Sequence, residues 1–135
     1  MAALTKDRAT PYREGVELDF PVAANSKIYS GSMVCTDTNG YAVPGSDTPG
    51  LKFLGVALEQ VDNAGGANGA KTVRLRRTGV FEFDAVSITQ AMLGSPMYLK
   101  DDHTMDDSAG CTYDVRIGIL VKLVSATRGW VDISR

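Results

Sequence analysis

The stretch Asp62–Arg77, DNAGGANGAKTVRLRR, admits two readings that lead to different folds. A glycine run followed by Lys71 and Thr72 has the ingredients of a phosphate cradle. In such a loop backbone N–H groups wrap the phosphates, the lysine reaches the outer ones and the hydroxyl ligates magnesium at a helix N-terminus. Aligned on Lys71 and Thr72, Gly65 takes the first glycine position, but Ala70 stands where the second belongs. The residues that follow decide the matter. Val73 and Leu75 alternate with Arg74 and Arg76, a period of two instead of the helical 3.6. The loop therefore feeds a strand and not a helix. Because LKFLGVALEQV (51–61) precedes it, the stretch reads as the connection between two strands of a hairpin.

Outward from this hairpin the same pattern continues. Short apolar runs lie at 16–23, 27–37, 40–43, 51–61, 71–77, 79–85, 96–100, 115–124 and 129–134, separated by turn residues such as Asn-Gly and Pro-Gly. This spacing predicts an all-β protein, a small barrel or sandwich. One short helix is expected over SITQAML, with Ser87 as its cap and Gly94 as its stop. In the run from Thr72 to Asp84, Val73, Leu75, Phe81 and Phe83 are expected to face the core. Arg74, Arg76, Glu82 and Asp84 should face outward, and Arg77 inward.

An internal pseudo-repeat emerges when residues 31–79 are laid over 94–133. GSMVCTD matches GSPMYLKD, LGVAL matches IGILV, and TVRLRR matches GWVDIS; Gly55 and Gly118 each follow the first glycine of their half by 24 positions. Each half reads as strand, long loop, strand around a glycine, hairpin, strand. Two such halves would close on one another, with chance likeness among short β runs as the alternative. A glycine in mid-strand marks a bulge or a close backbone approach, so Gly55 and Gly118 are placed at tight bends of the wall.

The 135 residues suit one domain, 16–135, preceded by an extended arm at 1–15 that has mixed charges, no periodicity and Pro11 midway. A segment of that composition cannot bury enough apolar surface to offset its own ordering, so a partner is expected to hold it. Charged residues make up 22% and the net charge is −2, which gives no overall pull toward nucleic acid. The longest apolar stretch, IGILVKLV (117–124), is too short to span a membrane as a helix, and the first fifteen residues lack a signal-peptide core. The chain is therefore expected to be made in the cytoplasm. Cys35 and Cys111 are expected as free thiols.

The candidate sites each meet a simpler reading. DDHTMDD brings Asp101, Asp102, Asp106 and Asp107 together, but without the alternating acids and central glycine of a calcium loop it reads as a solvated turn. His103 has no nucleophile in a recognisable setting and reads as a surface residue. Glu17 with Asp19, or Glu82 with Asp84, share a strand face as paired carboxylates would, yet any exposed strand shows the same. Lys71, Arg74, Arg76 and Arg77 form a basic strand with no interleaved aromatics, so pairing with acids on a neighbouring strand or subunit is favoured over phosphate contact. No catalytic residue, cofactor or metal is expected.

Taken together, LTKDRATPYREG, VELDFPVAANSKIYSGSMV, the block from Gly40 to Phe83 and the closing RIGILVKLVSATRGWVDIS resemble the small head decoration, or cement, proteins of tailed bacteriophages and Mu-like prophages. The likeness runs from Leu4 to Ile133, and its most specific parts are the Asp-Asn-x-Gly-Gly loop and VRLRRTGVF. The resemblance implies a virion protein that bridges major capsid subunits on the outer surface of an expanded head. It also implies self-association, as trimers more than dimers, without nucleic acid or membrane. It places the partner contacts on the arm: Thr5, Lys6, Arg8, Pro11, Tyr12, Arg13 and Glu14. A carbohydrate- or receptor-binding module is the alternative, but loops 44–50 and 62–70 carry none of the aromatics that would mark one.

Overall fold

The computed structural model describes residues 2–3, 5–9 and 16–134, and it is all-β. The first half contains β1 (Glu17–Pro21), β2 (Lys27–Ile28), β3 (Met33–Thr36), β4 (Ala42–Pro44), β5 (Lys52–Ala57), β6 (Val61–Asp62) and β7 (Thr72–Arg76). The second contains β8 (Val80–Ala85), β9 (Pro96–Leu99), β10 (Thr104–Asp106), β11 (Arg116–Ser125) and β12 (Arg128–Asp132). In the second half the order β10-β8-β12-β11-β9 closes into a five-stranded barrel, completed by antiparallel pairing of β9 with β10. The first half is a five-stranded sheet in the order β1-β7-β5-β3-β4, whose two edges meet at a single parallel bridge, Val22 to Ala42. β2 and β6 form a separate two-stranded ribbon.

The two halves are the same structure written twice. Met33↔Val56 and Val34↔Gly55 in the first half recur as Pro96↔Ile119 and Met97↔Gly118, each 63 positions on. Cys35↔Val43 recurs as Tyr98↔Asp106, and the lone bridge Val22↔Ala42 recurs as the parallel pairing Ala85↔Met105 that joins β8 to β10. The pairing of β1 with β7, Leu18↔Leu75, becomes Phe81↔Val131 between β8 and β12. Here the offset of the last strand falls to 56, because the second hairpin is shorter. Bonds outside the strands repeat too: Gly31 N–H donates to Ala57 O and Gly94 N–H to Leu120 O, both at 2.8 Å. The repeat thus begins at Val16 and Gly79, earlier than the sequence match at 31 and 94.

The glycines of that match explain the wall. At Leu54 and at Ile117 one extra residue interrupts the ladder, and the adjoining glycine lets the neighbouring strand come close. A Cβ on Gly55 would collide with the Arg76 carbonyl oxygen, and one on Gly118 with that of Asp132. Both glycines therefore lie where strand bending was expected.

Side-chain alternation sets two apolar clusters. Val22, Ile28, Val34, Ala42, Ala57, Val61, Val73 and Leu75 fill the first half. The larger cluster fills the second half around Met97, Leu99, Met105, Ile117, Leu120 and Val131, and it also takes Met33, Cys35 and Val56 from the first. β3 is buried on both faces, Val34 toward its own half and Met33 and Cys35 toward the other. This shared core fixes how the halves meet.

Four expectations change. Ser87–Leu93 is not a helix; only a 3₁₀ turn forms at Gln90–Met92. Buried Ile88 donates its N–H to Ala126 O and Thr89 is extended, which pins the chain before a helical turn can start. The run Thr72–Asp84 is not one ribbon but two strands of different halves, β7 and β8, although the in-out pattern named for it holds. Arg77 does not point inward: it lies beyond the end of β7 and is exposed. DDHTMDD is only partly a solvated turn, because β10 passes through it and buries Met105 and Asp106.

Candidate functional site

Where β5 and β11 bulge, the halves leave an open cleft of about 420 Å³. Phe53, Leu54, Arg77 and Thr78 line it from the first half, and Arg116, Ile117, Ile133 and Ser134 from the second. The repeat pairs these residues: Phe53 corresponds to Arg116, Leu54 to Ile117, Arg77 to Ile133 and Thr78 to Ser134. Equivalent residues facing one another are what an isologous interface produces. The cleft is therefore a consequence of the duplication, built at the one place where both copies bend.

Its chemistry is less symmetric than its geometry. Leu54 and Ile117 are the bulged residues, and with Phe53 and Ile133 they make an apolar wall. Arg77 and Arg116 are exposed and form no ion pair among the described residues, and none of the described lining residues is an acid. The Ser134 hydroxyl oxygen accepts the Gly79 N–H at 2.8 Å, which holds the end of the second half against the start of β8. The Val16 carbonyl accepts the Arg77 N–H at 2.7 Å, which places Val16 at the rim of the cleft.

No family model, curated protein or solved structure matches the chain.

Of the arm residues singled out from the sequence, Thr5, Lys6 and Arg8 are exposed, with a bend at Thr5–Lys6. Pro11, Tyr12, Arg13 and Glu14 lie outside the described residues. The basic strand divides. Arg74 pairs with Asp19 at 3.3 Å on neighbouring β1, as cross-strand pairing predicts, and Lys71 Nζ donates to the Asp62 carbonyl at 2.7 Å. Arg77 belongs to the cleft instead. Glu82 and Asp84 both face Arg128, at 3.3 and 3.7 Å. These acids are thus engaged in ordinary strand-to-strand pairing.

In the acidic loop, Asp101, Asp102 and His103 present ligand atoms within 4.8 Å of one another. Asp101 already accepts the His103 N–H, Asp106 accepts the Asp107 N–H and Asp107 accepts the Gly110 N–H, so these carboxylates close the turns around β10. His103 titrates above its ordinary range because Asp102 accepts its ring N–H and Asp101 and Asp84 add negative charge. Cys35 and Cys111 are free and buried; burial pushes their thiols up to about 12 and about 11, away from the reactive thiolate.

The loop that opened the sequence reading is ordered by Asn63, which is fully buried. Its Nδ2 donates to Ala23 O at 2.9 Å and Ala67 O at 3.0 Å, and Gly66 N–H returns a bond to Asn63 O. The glycines thus serve a turn wrapped around an asparagine. Sequence reading did not single out the cleft, although Gly55 and Gly118 stand beside two of its residues.

Proposed function

We propose that the chain is a non-enzymatic capsid decoration protein, bound to the outer surface of an expanded phage head and bridging neighbouring major capsid subunits. It acts there as an oligomer, preferably a trimer, and the arm makes the contacts with the shell. The reading draws on the sequence likeness from Leu4 to Ile133. The structural observation that carries it is the junction of arm and body. A charged, non-periodic segment is fastened through Val16 to the end of β7, on a tandem β body braced by a shared core. A rigid body with a reaching arm suits a clamp: each contact is weak, and many contacts on one shell hold firmly. Thr5, Lys6 and Arg8 are exposed; in this reading the residue types of Tyr12 and Pro11 suit an aromatic anchor and an extended arm.

The test is deletion of residues 2–13, followed by cosedimentation with expanded empty heads of the cognate major capsid protein. The truncated protein should keep the far-ultraviolet spectrum and melting temperature of the full chain and lose head binding. Saturation of heads by the truncated protein would remove the arm from the mechanism. A full-length chain that stays monomeric and ignores heads would remove the capsid reading itself and direct attention to glycan binding.

A further inference from the structure

We infer that the cleft between the two halves is a docking site for an extended segment of a partner protein that presents an aspartate or glutamate beside a large apolar side chain. The inference stands on the chemistry of the cleft and does not require the partner to be a capsid.

The charge distribution is the first reason. The chain carries a net charge of −2, yet the cleft gathers Arg77 and Arg116 with no acid among its described lining residues. Elsewhere on the surface Arg74 meets Asp19, and Arg128 meets Glu82 and Asp84. Exposed Arg76 on β7 forms no ion pair among the described residues and lies away from the cleft, so what distinguishes the cleft is that it brings two such arginines to one apolar wall. Two guanidinium groups without ion-pair partners among the described residues, each able to grip a carboxylate through paired N–H donors, are complementary to an acidic group from outside.

The second reason is the wall. Phe53, Leu54, Ile117 and Ile133 offer apolar surface directly beside the arginines. A bare inorganic anion would engage the charges and leave that surface wet, while a purely apolar ligand would leave the charges unused. An acid next to an apolar side chain uses both. The repeat adds a third point. Each arginine occupies a position where the other half has an apolar residue, Arg77 opposite Ile133 and Arg116 opposite Phe53. The duplicated frame thus holds one charge from each half around a common apolar centre. The volume of about 420 Å³ accommodates a few side chains and excludes a folded element, so the occupant is a segment.

The experiment is an array of N-acetylated, C-amidated hexapeptides covering apolar–acid neighbour pairs, probed with the labelled full chain; the best peptides are then measured in solution by fluorescence anisotropy. Peptides with Asp or Glu beside Phe, Leu or Ile should be retained, and their Asn or Gln counterparts should not. Arg77→Ala and Arg116→Ala should each weaken binding roughly tenfold, and the lysine variants less, since lysine keeps the charge but not the two-pronged donor set. Arg128→Ala, which removes an internally paired arginine, should leave affinity unchanged. Both cleft residues are exposed, so melting temperatures should stay close to that of the parent chain. Retention independent of the acid, or undiminished in the Arg77→Ala/Arg116→Ala variant, overturns the assignment. Binding of 3-phenylpropionate at the cleft, seen as amide shifts at Arg77 and Arg116 with no peptide retained, also overturns it in favour of a small-molecule carboxylate site.

Discussion

The two halves of this chain share a register but not a way of being held together. The second closes as a full barrel around Met97, Leu99, Met105, Ile117 and Leu120, and its hairpin between β11 and β12 is tight. The first closes at one bridge, Val22 to Ala42, around smaller residues, and spends its longer connection on the ribbon of β2 with β6 and on the turn built around Asn63. It also gives Met33, Cys35 and Val56 to its neighbour's core. A duplicated frame therefore need not duplicate its sources of stability. One copy is held mainly by burial, the other by a buried polar hub and by leaning on its partner.

The largest test of that comparison is Gly118→Ala, set beside Gly55→Ala. In each variant the new methyl group meets a backbone carbonyl that cannot rotate away, which should cost about 3 kcal/mol or more. Gly118 should be the worse of the two, because it sits in the barrel that carries the shared core. Urea unfolding followed by circular dichroism gives both values. Equal and small losses would mean that the bulges are pliable and the equivalence only formal.

Asn63→Ala comes next and should break the symmetry. Removing the amide leaves the Ala23 carbonyl without its donor and the Ala67 carbonyl with only the Ala70 N–H, and should destabilise by about 2 kcal/mol. The second half has no such hub, so faster hydrogen exchange should be confined to residues 58–71 and β2, with β8 to β12 unchanged. Exchange rising equally in both halves would show that they unfold as one unit.

How much of this was legible beforehand differs between frame and cleft. The alternation of Val73, Leu75, Phe81 and Phe83 and the equal spacing of Gly55 and Gly118 are local signals, and they carried the all-β fold and the repeat. The start of the repeat was hidden because Leu18–Asp19–Phe20 and Phe81–Glu82–Phe83 match in pattern only, and because β7 runs into β8 without a conspicuous break. Closure at Val22 is a single bridge between distant residues, which leaves no trace in periodicity. Ser87–Leu93 carries a helical cap and stop, but the bond from Ile88 to Ala126 overrides them. The cleft collects residues from four separated places, and Arg116 and Ile133 acquire meaning only when the halves are packed together.

The contact between halves can be sharpened at Asp47, whose carboxylate accepts the N–H groups of Thr112 at 2.7 Å and Tyr113 at 2.9 Å. These bonds, Thr112 first, hold its carboxyl below the ordinary value of 3.8. A depressed acid contributes stability that is present above its unfolded value and lost as pH falls through the folded one. Asp47→Ala should cost about 1 kcal/mol at neutral pH, since water reaches both donors once the acid is gone. The difference from the parent chain should vanish in acid below the folded value; a difference that persists there would assign the loss to packing instead.

The smallest effect is expected where the halves differ by one turn. Position 103 of the β9–β10 turn corresponds to Gly40 of the β3–β4 turn, where Asp37 alone accepts the N–H groups of Asn39 and Tyr41. In the second half the ring of His103 lies 3.2 Å from Asp102, 3.0 Å from Asp101 and 3.9 Å from Asp84. Its value is raised above 6.5, with the hydrogen bond to Asp102 the largest cause. A raised histidine stabilises fully below its unfolded value, and that contribution is lost as pH rises through the folded one. The gain is slight, because the pair is exposed and screened. Proton resonances of His103 should therefore report a midpoint above 6.5, with backbone shifts in the β9–β10 turn following it and those of the β3–β4 turn silent. His103→Gln should erase the response without moving the alkaline stability. A midpoint at or below 6.5 would mean that Asp101, Asp102 and Asp84 do not act on the ring together, and the two turns would then differ in sequence but not in their response to pH.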